Sequence, residues 1–108
     1  MNQEEATRQL AQTEQTLEHF SLQQQQFSQQ LADVKASLVA LNGEQKAFKL
    51  IGQLMFEQSA DDLRSSLKEQ EERLTVRLRS VEDQLRRLRE KKHSLQEQIL
   101  QEVQEKRK

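Results

Sequence analysis

The sequence has no cysteine, proline, tryptophan or tyrosine, and only two glycines and four phenylalanines among its 108 residues. Without cysteine there is no disulfide, no thiolate nucleophile and no sulfur-ligated metal, which fits a reducing compartment. Disordered chains are usually proline-rich and strongly charged, whereas here proline is absent and Lys+Arg 17 nearly balance Asp+Glu 18. A hydrophobic content of 33% with 4% aromatics is too little for a self-contained globule. No apolar run approaches the roughly 20 residues needed to span a membrane. The start, Met1-Asn2-Gln3-Glu4-Glu5, is polar and acidic, unlike a signal or transit peptide. These features together predict a cytoplasmic protein without membrane association.

What is present is mainly Leu, Gln, Glu, Lys, Arg and Ala, all good helix formers. In residues 1–41, Leu10, Leu17, Gln24, Leu31 and Leu38 recur every seventh position, and Thr13, Phe20, Phe27, Val34 and Leu41 do so three places later. That spacing is the a/d seam of a coiled coil. Residues 59–108 repeat it with Leu78, Leu85, Lys92 and Ile99 in one row and Leu67, Leu74, Val81, Leu88 and Leu95 in the other. At ~1.5 Å per residue such helices are rods of roughly 60 Å or more.

Residues 42–58 differ, and both glycines fall there. Gly43, just past Leu41, suits the left-handed residue that closes a helix. Gly52-Gln53 separates two short apolar runs, Phe48 to Ile51 and Leu54 to Phe56, and predicts a β-hairpin with a tight turn of the primed type. Ser59 is placed as N-cap of the next helix, with Asp61 and Asp62 in its first turn, where the helix dipole favours negative charge.

If the chain reverses through this segment, the seams pair antiparallel with facing residue numbers summing to about 104 to 105. Leu38 then meets Leu67, Leu31 meets Leu74, Phe20 meets Leu85 and Leu10 meets Leu95, all apolar layers. Thr13 falls near Lys92 and Gln24 near Val81, as polar seam residues that set register. The first helix is acidic on balance and the second basic, and Arg86 to Lys92 lies opposite Glu14 and Glu18, which supports the same pairing. The predicted fold is mostly α, a long antiparallel two-helix coiled coil with a β-hairpin at its base, in a single domain of residues 1–108.

An isolated hairpin is marginal in water. This one sets Phe48, Leu50, Leu54 and Phe56 on some positions and Ile51 and Met55 on others, with nothing left in the chain to cover them. Open edges between apolar faces are templates for pairing with other chains, so Phe48, Leu50, Ile51, Gly52, Leu54, Met55 and Phe56 are read as a subunit-assembly module. A long helix, a hairpin carrying Phe48-Lys49-Leu50-Ile51-Gly52-Gln53-Leu54-Met55-Phe56-Glu57-Gln58, and a second long helix resemble a prefoldin β-class subunit, nearest to the eukaryotic subunit-six type. The sequence departs from that pattern at Phe56 and Glu57, where related subunits often carry valine and a basic residue. The resemblance implies a heterohexamer of two α-class and four β-class subunits with β-barrels at its base. It further implies ATP-independent binding of unfolded clients such as actin and tubulin near the free coil ends, and their delivery to a group II chaperonin.

At those ends Met1, Ala6, Leu10, Ile99, Leu100 and Val103 form the candidate client-binding surface, against the plainer reading that they close the last turns of the coil. The terminal Glu105-Lys106-Arg107-Lys108 reads as a solvated end. The basic run Arg86 to Lys92 has no interleaved aromatics, so nucleic acid is not an expected partner. His19 and His93 lie far apart without clustered carboxylates, and no Ser-His-acid set or glycine-rich phosphate loop exists. No enzyme activity, metal or cofactor is expected. The alternative is a structural coiled-coil scaffold or tethering subunit. That reading calls for a second apolar stripe on the rods, for which Leu22, Val39 and Val76 are too scattered.

Overall fold

A computed structural model of the chain describes residues 2–44 and 46–106, and the side chains of residues 49–51 lie outside that description. The element order is helix α1 (Gln3–Ala40), strand β1 (Lys46–Ile51), strand β2 (Leu54–Ser59) and helix α2 (Ala60–Lys106). This is the mostly α class with one antiparallel hairpin that the heptads and the glycines predict.

Each boundary has a local cause. Asn2 caps α1, its side-chain oxygen accepting from the Glu5 N–H at 2.8 Å, while its carbonyl accepts the first helical bond from Ala6. Asn2 and Glu5 stand three apart, the spacing of a capping box, a signal present in the sequence. At the other end Gly43 has φ +80, and the Glu44 N–H bonds the Leu41 carbonyl at 3.1 Å, which turns the chain out of the helix as expected. Ser59 ends β2 and immediately precedes α2, so strand passes to helix without a loop.

The chain divides into two compact units, Met1–Gln25 with Arg79–Lys108, and Gln26–Leu78. In the first, α1 and α2 run antiparallel, for Lys106 Nζ donates to Gln3 Oε1 at 2.9 Å and Lys92 Nζ lies 3.8 Å from Glu14 Oε1. Its core is one seam of Ala6, Thr13, Val81, Leu85 and Leu95, in which Leu85 is the largest fully buried side chain. Thr13 is buried at a seam position because its hydroxyl donates to the Gln9 carbonyl at 2.7 Å and leaves no unpaired polar group. Arg86, predicted opposite the carboxylates of α1, instead pairs within its own helix with Asp83 at 3.0 Å, since a neighbour at i−3 is in reach without crossing the seam.

In the second unit Val34, Leu41, Ala60 and Leu74 are buried. Helix α1 has no basic residue in its last turn. The missing positive charge comes from α2, where Arg64 Nη2 donates to the Leu41 carbonyl at 2.9 Å and Nη1 bonds Asp61 at 2.6 Å. A guanidinium on the carbonyl end of a helix both fills an acceptor and complements the dipole. Arg64→Ala is therefore expected to lower unfolding free energy by about 1–2 kcal/mol, read from urea titrations followed by circular dichroism. An unchanged midpoint would show that the bond carries no net stability.

Candidate functional site

The hairpin is the first candidate. Its pairs run from Lys46 with Ser59 to Ile51 with Leu54, closed by Gly52 and Gln53. Gly52 has φ +61 while no described non-glycine residue has positive φ, the type II′ pattern, so the primed turn predicted from Gly-Gln is present. A two-residue turn also sets parity. Paired numbers sum to an odd value, so even positions of β1 share a face with odd positions of β2.

This corrects the grouping expected from sequence. By register Phe48 and Met55 share one face, and Leu54 and Phe56 share the other. The phase between strands follows from the turn length: with the two-residue Gly52-Gln53 turn, Ile51 pairs with Leu54 and the faces are set. Each face is apolar and exposed: Phe48 64% and Met55 67% on one, Leu54 66% and Phe56 48% on the other. Covering such a side chain is worth about 1.5–3 kcal/mol. Lys46 and Glu57, diagonal neighbours on the Phe48 face, pair at 3.3 Å with both heads exposed and mark the polar end of that surface. Beneath β1 a shallow concavity of about 370 Å³ is lined by Ala40, Leu41, Ala47, Phe48, Leu63 and Leu67.

The chain ends are the second candidate. Met1 lies outside the described residues. Ala6 is fully buried, Leu10, Ile99 and Val103 are half-buried, and Leu100 is 57% exposed. Leu100 is thus the large apolar side chain most open to a partner near these ends among the described residues. Sequence spacing placed it beside the seam and not in it, which is why it stays uncovered. Asn2, Gln3, Glu102, Glu105 and Lys106 line a further concavity at these ends.

Among the described residues no group of three or more His, Cys, Asp or Glu side chains could hold a metal ion, and no helix is long and apolar enough to cross a membrane. His93 pairs with Glu97 at 3.1 Å, and His19 stacks edge-on against Phe20, so both histidines are engaged locally. The hairpin and the chain ends both offer exposed apolar surface, and single exposed side chains at Leu22, Val39 and Val76 lie elsewhere on the helices.

Comparison with known proteins agrees with the architecture. The family model described as prefoldin subunit matches residues 4–106. Among solved structures, the prefoldin β subunit from Thermococcus strain KS-1 is similar at 29% identity with a TM-score of 0.81, covering 90% of this chain and 88% of that one. No curated protein sequence matches at a significant level.

Proposed function

The chain belongs to the prefoldin subunit family, whose members assemble with one another into chaperone complexes, and we propose that it serves as a β-class subunit of a heterohexameric co-chaperone. In this reading the hairpin joins neighbouring subunits into the base of the complex. The coil ends bind unfolded proteins, actin and tubulin among them, without ATP and pass them to a group II chaperonin in the cytoplasm. The observation that supports the reading is a two-stranded sheet with Phe48 and Met55 exposed on one face and Leu54 and Phe56 on the other, uncovered by the other described segments. A single helix pair with one seam has no such surface to spare for itself.

The test is to mix the purified chain with an α-class partner and to measure both native mass and suppression of aggregation of a diluted, denatured client. A defined hexamer that suppresses aggregation is expected. Leu100→Ser should leave assembly and helicity intact and should require about tenfold more complex for equal suppression, because one exposed leucine contact is worth about 1.5–3 kcal/mol. Suppression unchanged by Leu100→Ser, and also by deletion of residues 1–10 and 96–108, would place client binding elsewhere.

A further inference from the structure

The charges of α2 are segregated by heptad position. Asp62, Glu69, Asp83, Glu90 and Glu97 repeat along the helix at multiples of seven on the side away from the seam. The flank beside the seam, on which residues succeed one another at alternating spacings of three and four, holds Arg73, Arg77, Arg87 and Lys91. From residue 63 to residue 104 every other position of that flank is Leu, Ser or Gln, with no carboxylate. In a helix this rich in Asp and Glu elsewhere, a flank cleared of them over several heptads is a patterned surface. The seam-flanking row of α1, with Gln9, Thr16, Gln23, Gln30 and Ser37, is likewise uncharged.

Within the unit Gln26–Leu78 these two rows meet. Gln30 of α1 and Gln70, Arg73, Leu74 and Arg77 of α2 line an open concavity of about 240 Å³. Arg73 and Arg77 are exposed and take part in none of the ion pairs among the described residues. Two guanidinium forks one helical turn apart, flanked by two carboxamides, present donors and a positive charge with no carboxylate among the lining residues. The four-residue spacing of Arg73 and Arg77 sets them one turn apart, the spacing at which carboxylates of a partner helix also recur.

We infer that this flank is an interaction surface for an acidic helical segment of another protein, whose carboxylates, one turn apart, pair with Arg73 and Arg77 beside Gln30 and Gln70. This partner is distinct from the apolar clients of the coil ends and from the hairpin contacts. Its binding depends on ionic strength, since exposed pairs are screened by salt. The glutamine-rich stretch of α1 thereby gains a role, because amides accommodate a charged partner without repelling it.

The experiment uses the full chain and a fluorescent, alanine-based helical peptide with paired glutamates four residues apart, titrated at low salt and followed by anisotropy. Arg73→Gln with Arg77→Gln is expected to weaken binding about tenfold. Arg79→Gln with Arg89→Gln, equal in charge but off the flank, should weaken it less than about threefold. Circular dichroism confirms that both variants remain helical. Equal losses in the two variants, no binding by the unmodified chain, or binding of an oligothymidylate as tight as that of the peptide would each overturn the inference, the last in favour of nucleic acid.

Discussion

Phe48→Asp and Leu54→Asp, introduced singly, are each expected to leave the chain unable to join a hexamer and to give a monomer on a sizing column. The two positions lie on opposite faces of the hairpin by its register, so the pair of variants tests each face separately. In the free chain both side chains are largely exposed, and aspartate there costs the fold little. Once a neighbouring chain covers the face, a carboxylate in that position would be desolvated without a partner, a penalty of several kcal/mol per site. That exceeds what a single hairpin contact of this size returns. Helicity by circular dichroism should stay near that of the unmodified chain, because α1 and α2 do not depend on these side chains for their backbone bonds. A hexamer that survives both substitutions would mean that assembly uses another surface. If only one variant assembles, the substituted face in that variant is solvent-facing in the complex, and the assembly surface narrows to the other.

The second large effect is on stability. Leu85→Ala is expected to lower unfolding free energy by about 3 kcal/mol, with a corresponding fall in melting temperature. Leu85 is completely shielded while most side chains of its helix are not, and each unit has only one narrow seam. Few neighbours can relax into the space a lost isobutyl group leaves, so the cavity cost adds to the transfer cost. Leu100→Ala is the matched control, the same deletion at an exposed position, and should change stability by less than about 0.5 kcal/mol. Chemical denaturation of the two variants under the same conditions reads the difference. Similar midpoints would contradict the burial pattern on which the seam rests.

Much of this architecture was legible in the residues. The heptad rows gave helices over nearly the residues that form them, since an a/d repeat without proline or internal glycine admits no other regular structure. Gly43 and Gly52 were placed correctly because both sit where backbone must take positive φ, and no other residue type does so at so little cost. The antiparallel register was also readable, and Glu14 with Lys92 and Arg64 with Leu41 lie close to it. Other features were not legible. The Arg64 bond to a backbone carbonyl leaves no trace in hydrophobic pattern. The pairing of Arg86 depends on which carboxylate its rotamer reaches. The grouping of the hairpin faces, by contrast, follows from the two-residue Gly52-Gln53 turn, which the sequence does show, once its length is carried into the register. At the chain ends, spacing put Ala6 in the seam row and Leu100 beside it, and the helix contact buries the first and leaves the second open.

Periodicity and the positions of two glycines determined by themselves the order and kind of the elements, because those are properties of local backbone and of a repeating face. Tertiary structure alone decided which apolar side chains remain uncovered and which charges remain unpaired. Exposure and pairing are set by the phase between neighbouring elements, and a shift of one residue in that phase exchanges the covered and the open face of a strand. For this protein that phase leaves Phe48 with Met55 and Leu54 with Phe56 exposed on opposite sides of the hairpin, and Arg73 and Arg77 outside the ion pairs of the described residues.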